Sequence, residues 1–142
     1  ARWRPQAEAW SLLEVINHLY DEEREDFRVR LNLILHEPAA AWPVIDPQGW
    51  VTERRYHARD LAHSVQGFLA ERAASLAWLR GLAAPDWDAI VHTPWGWSIT
   101  AGDMLAAWAA HDVLHMRQLV ELHWAYVARL AEPRTTIYAG EW

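Results

Sequence analysis

The sequence predicts an all-α protein built as a bundle of long helices, and three observations carry that reading. Three long stretches lack proline and are separated by loops rich in Pro and Trp. Within each stretch, apolar residues recur at the spacing of a helix face. No segment sustains the period-two alternation of a half-buried strand.

The first helix is expected from about Ser11 to His36, because Ser11 and Glu14 fit the Ser-x-x-Glu capping box and Pro38 follows as a stop. The second is expected from about Thr52 to Leu82, after the turn-rich Asp46-Pro47-Gln48-Gly49 and ahead of Pro85. The third runs from about Thr100 to Leu130, with Thr100 and Asp103 offering a cap and Pro133 an end. At about 100° per residue, Leu12, Leu13, Ile16, Leu19, Tyr20, Phe27, Leu31 and Ile34 share a face of the first helix. Leu61, Val65, Phe68, Leu69, Leu76 and Leu79 do so on the second, and Met104, Trp108, Leu119, Leu122 and Tyr126 on the third. Short connections between such helices favour antiparallel neighbours, which gives an up-down-up order. Four helices close a bundle more commonly than three, so a helix upstream of residue 1, or a partner chain, is expected to complete it.

Length and composition narrow the function. The 142 residues suit one domain, residues 1–142, and 52% apolar with 23% charged residues excludes a disordered tail. A net charge of -6 argues against a general nucleic-acid binder, which needs a concentrated basic surface. All thirteen basic residues are Arg, so Schiff-base lysine chemistry is excluded. With no Cys, disulfides, thiolate nucleophiles and Cys-ligated metals go too, and any metal must be held by His, Asp or Glu. No apolar run approaches the roughly 18 residues of a membrane span. A soluble cytoplasmic protein is therefore the default expectation.

Of the eight histidines, His36, His57, His63 and His123 read as solvated or helix-terminal. His111 and His115 differ, because they stack four residues apart in the apolar stripe of the third helix. Two imidazoles at that spacing either satisfy each other through hydrogen bonds or share a cation, and spacing alone leaves both readings open. The string His111-Asp112-Val113-Leu114-His115 places Asp where a zinc peptidase's His-Glu-x-x-His motif has its general-base Glu, which makes a peptidase a poor fit. His18 is the candidate third ligand by its height along the bundle. Its direction counts against it, since it points away from the Ile16 stripe, alongside Glu14, Asp21, Glu22 and Glu25. That face is either solvated or lines a polar groove, with Glu14 as acceptor for the His18 ring N–H.

Trp10-Ser11-Leu12-Leu13-Glu14-Val15-Ile16-Asn17-His18-Leu19, followed by His111-Asp112-Val113-Leu114-His115-Met116-Arg117-Gln118-Leu119, resembles the DinB/YfiT-like superfamily. The resemblance covers nearly the whole chain. It implies a four-helix bundle whose first helix lies upstream of this chain, and a metal site of His18, His111 and His115 holding zinc or nickel. It also implies a homodimer, and either a transferase using a low-molecular-weight thiol co-substrate or a metal-assisted hydrolase. The alternative is a non-enzymatic bundle with a structural metal or none, acting through protein contacts.

Other residues are assigned more narrowly. Asp112 and Gln118 stand beside the histidine pair as supporting residues. His92, Trp95 and Trp97, in the loop before the third helix, either roof the metal or, as is commoner for loop Trp, plug the bundle end. Glu23 and Arg72 fall inside the apolar stripes of the first two helices at matching height and are expected to pair, fixing helix register. Substrate-carboxylate binding by Arg72 is the lesser alternative, because Glu23 is available to neutralise it.

Overall fold

The computed structural model describes residues 1–140. Helix α1 (Leu12–Glu22) opens on the expected capping box, with Ser11 accepting from the Glu14 backbone and the Glu14 carboxylate accepting from the Ser11 N–H at 2.8 Å. The helix does not stop at Glu22. Residues Glu23–Phe27 form a π-helical turn that runs into α2 (Arg28–His36), so the first stretch is one continuous rod with a widened middle.

The second stretch is not one helix. Asp46 caps a short α3 (Pro47–Glu53) through the Gly49 N–H, and Pro47 supplies the fixed φ suited to a first helical position. Arg55 then adopts a left-handed conformation (φ 49°) and a 3₁₀ turn, Tyr56–Ala58, follows. Asp60 caps the helix proper, α4 (Leu61–Gly81), by accepting from the His63 N–H at 2.8 Å. Two three-residue strands, β1 (Ile90–His92) and β2 (Ser98–Thr100), pair antiparallel before α5 (Ala101–Ala131), where Thr100 and Asp103 form a second capping box. Strands this short leave no alternation to detect, and so the sequence does not announce them.

Contact order along the chain corrects the expected up-down-up arrangement. Asn17 meets Ser64, Glu23 meets Arg72 and Arg28 meets Ser75, so the first rod and α4 run parallel. By contrast, His18 meets His115, Phe27 stacks on Trp108, and Leu31 and Ile34 share a core with Met104. Helix α5 is therefore antiparallel to the first rod. The cause is the connection from Glu37 to Asp60, which is no tight hairpin. It returns along the rod, anchored by the buried rings of Trp50 and Tyr56, the latter donating to Asp21 at 2.6 Å.

The hairpin correspondingly sits at the Leu31 and Ile34 end of the rod and not at the His18 end. Val91 and Ile99 point inward from its two strands onto Leu31, Ile34, Met104 and Trp108. Helix α1 is buried almost all round, including the polar residues Glu14, Asn17, His18, Asp21 and Glu22. The outer faces of α4 and α5 expose Leu69, Leu76, Val113, Met116, Val120 and Val127. Among the described residues, no helix is long and apolar enough to cross a membrane.

Candidate metal centre

The polar side of α1 is a buried groove wall, and His18 is only 5% exposed on it. Antiparallel α5 brings His111 and His115 to the same level. The three Nε2 atoms face one another, with His18 to His111 at 3.3 Å, His18 to His115 at 3.1 Å and His111 to His115 at 3.1 Å. Tetrahedral ligands about 2.05 Å from zinc stand about 3.3 Å apart. Among the described residues, these three are the group of side chains that could hold a metal ion.

The protonation state fits that use. Burial, followed by the neighbouring charges of His115 and His111, pulls His18 down to about 3. Burial, followed by His115, pulls His111 down to about 4. Both rings are therefore neutral at pH 7 and offer lone pairs, as a metal requires. His115 Nδ1 donates to Gln118 Oε1 at 2.7 Å, which leaves Nε2 of that ring bare and aimed at the other two. Packing holds the remaining rings, with Trp10 5.0 Å from His18 and Phe27 4.9 Å from His111, centroid to centroid.

The triad closes one side of a cavity of about 770 Å³, within the range of small-molecule sites. Trp10, Trp95 and Leu122 give it apolar wall, and Glu22, Asp26 and Arg30 a polar one. Those three continue a row begun by His18 at steps of four residues. In an α-helix each such step drifts by about 40° around the axis. The π turn, with its wider i→i+5 winding, offsets that drift, so 18, 22, 26 and 30 all face one cavity.

Charge along the row is unevenly matched. Arg30 Nε contacts Asp26 Oδ1 at 2.8 Å, and its guanidinium lies over Trp42 and Trp95 at 5.1 and 5.5 Å. Among the described residues no Arg forms an ion pair with Glu22, and the charge of Arg30 only partly offsets its burial. Burial, reinforced by Asp26, pushes its carboxyl up to about 8, and burial raises Asp26 as well.

Several residues singled out from sequence lie elsewhere. Glu14 does not reach the His18 ring, because its carboxylate is taken by the Ser11 N–H and hydroxyl and by Arg4. Among the described residues, His18 Nδ1 has no hydrogen-bond partner and is buried. Asp112 turns away from the triad and accepts from Arg72 at 2.6 and 2.8 Å, while Arg72 also donates to Glu23 at 2.8 and 2.7 Å. Arg72 is thus spent between two carboxylates and does not line the cavity. His92 pairs with Ser98 Oγ at 2.7 Å on the exposed hairpin, so it does not roof the metal position. Trp95 does line the cavity, and Trp97 stacks on Trp95 from outside at 6.0 Å. Both rings are half exposed, which fits neither a roof nor a buried plug. Asp26 and Arg30 were not singled out from the sequence, although their four-residue spacing from His18 was the signal, and Trp10 entered only as the first residue of the motif that carries the resemblance.

Comparison with known proteins bears on the fold and the family. No curated protein matches the chain. Among solved structures, YfiT from Bacillus subtilis, described as a probable metal-dependent hydrolase with an unusual four-helix bundle topology, aligns at a TM-score of 0.73. It is 21% identical, and the match covers 84% of this chain and 69% of that one. The model of the DinB superfamily matches residues 1–119. With that match spanning most of the sequence, the chain belongs to the DinB superfamily.

Proposed function

We propose that this protein is a divalent-metal-dependent enzyme acting on a small organic substrate, with His18, His111 and His115 as the ligands and hydrolysis as the reaction. The observation that carries the reading is the convergence of three imidazole Nε2 atoms, 3.1 to 3.3 Å apart, at the wall of an open cavity. Three neutral ligands leave a zinc or nickel ion its full charge and an open position. Such an ion acts as a Lewis acid and lowers the pKa of a bound water or thiol. The description of YfiT as a probable metal-dependent hydrolase supports the choice of reaction.

The residues of this chain have separable roles. Gln118 fixes the tautomer and orientation of His115, and Trp10 and Phe27 fix the other two rings. Trp10 and Trp95 offer flat apolar surface to a substrate body, and Glu22 faces the reacting end. A cavity of about 770 Å³ also has room for two reactants, which favours transfer of a low-molecular-weight thiol to an electrophile as the second reading.

Metal analysis after loading with Zn²⁺ is expected to give one ion per chain in the native protein and none in His115→Ala. Loss of the metal with unchanged melting supports an open functional site, whereas collapse of the fold supports a structural one. The loaded protein is then assayed on activated esters and amides, and on electrophiles with bacillithiol, mycothiol or glutathione. Failure to bind metal, or inertness in both assays, overturns the enzymatic reading.

A further inference from the structure

The cavity of the three histidines has an apolar neighbour. Trp3, Leu12, Leu122, His123 and Tyr126 line a second cavity of about 210 Å³, and Leu122 is a wall of both. His123 stands there among aromatic and aliphatic side chains. A dry apolar cavity of about 150 Å³ already takes up a benzene ring, so this one holds a group of at least that size.

The second cavity is built rather than incidental. Arg2 pins the segment that carries Trp3 by donating to the carbonyls of His57 and Arg59, each at 2.9 Å. The Ala1 carbonyl accepts from the Leu13 N–H at 3.1 Å. Trp3 thereby lies against Tyr126, with ring centroids 5.4 Å apart and the planes tilted by 55°. Two rings that meet at an angle form a bent wall and leave no parallel slot for a flat group. That shape suits a flexible alkyl chain.

Its place relative to the triad follows from the helices. Leu122 is seven residues beyond His115, about 10 Å along α5 and only about 20° around it. Leu12 is six residues before His18, about 9 Å back along the first rod. Because α5 and that rod are antiparallel, both steps lead to the same end of the bundle. Glu22, Asp26 and Arg30 lie the other way along the rod. The histidines therefore stand between an apolar compartment and a polar one.

We propose that the second cavity is the acyl-chain subsite of the three-histidine site, and that the substrates are esters or amides of medium-chain carboxylic acids. This rests on the metal reading above and names the substrate class it leaves open. With the carbonyl at the triad, an extended chain of about eight carbons passes Leu122 and reaches Trp3 and Tyr126. The polar remainder of the molecule lies toward Arg30.

The test uses straight-chain hydroxamates, from acetohydroxamate to octanohydroxamate, on protein loaded with Co²⁺, whose visible spectrum reports its ligands. Affinity is expected to rise about threefold per methylene, so that hexanohydroxamate binds at least about thirtyfold more tightly than acetohydroxamate. Trp3→Ala removes one wall and Leu122→Trp fills the passage. Either is expected to cut that ratio at least about fivefold, and the second decides should the first fail to fold. A native ratio below about threefold overturns the proposal. So does a native-like ratio in both variants, which would place the chain in the main cavity along Trp10 and Trp95. Should the native protein take up no Co²⁺, the metal reading fails and takes the subsite with it, a result separate from Co²⁺ binding without chain-length preference.

Discussion

Arg72 and Glu23 are joined by two parallel hydrogen bonds of 2.8 and 2.7 Å, and the same guanidinium grips Asp112 on the opposite side. One cation thus ties the first rod, α4 and α5 together about one helical turn from the histidine triad. Glu23 is 1% exposed and also accepts from Trp108 Nε1 at 3.0 Å. Replacing Arg72 alone by Met should cost about 3 kcal/mol in urea unfolding, because it strands a buried carboxylate. Adding Glu23→Gln should recover at least half of that loss, and a double variant no more stable than Arg72→Met would refute this account.

Gln118 lines the cavity and accepts from His115 Nδ1, so its effect on the metal should come through that ring. Gln118→Leu is expected to weaken Zn²⁺ binding by roughly 10- to 100-fold while leaving the melting temperature of the metal-free protein unchanged. Chelator competition measures the first and thermal scanning the second. Equal Zn²⁺ affinity in the two proteins would remove Gln118 from the site.

The raised pKa of Glu22 gives a pH signature in metal-free protein. Its folded value of about 8 stands above the ordinary 4.5, so the folded chain holds a proton that the unfolded chain releases between those values. The stability linked to that proton is complete below pH 4.5 and is lost as pH rises through about 8. Glu22→Gln does not titrate. Its stability relative to native protein should therefore grow steadily from pH 5 to pH 8, and parallel curves across that range would contradict the assignment.

Tyr56 anchors the return connection to the rod through its bond to Asp21, and both residues are fully buried. Asp21 keeps Arg24 and Arg54 as partners when that hydroxyl is removed. Tyr56→Phe is accordingly expected to cost about 1.5 kcal/mol, the low end for a bond to a charged group, with Zn²⁺ affinity preserved. Denaturant midpoints and a zinc titration check the two halves.

Part of this was legible in the residues. The capping pairs Ser11 with Glu14 and Thr100 with Asp103 are local chemistry, and each marks a helix start in the structure as it does in the string. The spacing of His111 and His115 likewise fixes their common face. Helix direction was not legible, because nothing in residues 37–60 distinguishes a tight reversal from a return along the rod until Trp50 and Tyr56 find their burial sites. His18 was obscured for a related reason. Angular plots rank faces by apolar content, whereas α1 lies at the centre and buries Glu14, Asn17, Asp21 and Glu22 beside His18, polar face included. Asp112 misled by proximity, since adjacency in sequence to His111 places it about 100° around the helix, toward Arg72.

The π turn at Glu23–Phe27 reaches beyond geometry, into how relatives should be compared. It amounts to one surplus residue wound into an otherwise regular rod. A related chain lacking that residue would wind as plain α-helix, and everything after the deletion would swing by about 100° relative to His18. In such a chain the guanidinium now beneath Trp95 would leave the cavity although the three imidazoles stayed put. Homologues with an identical histidine triad can therefore differ in what they admit, and a single-residue gap in this stretch would mark the divide.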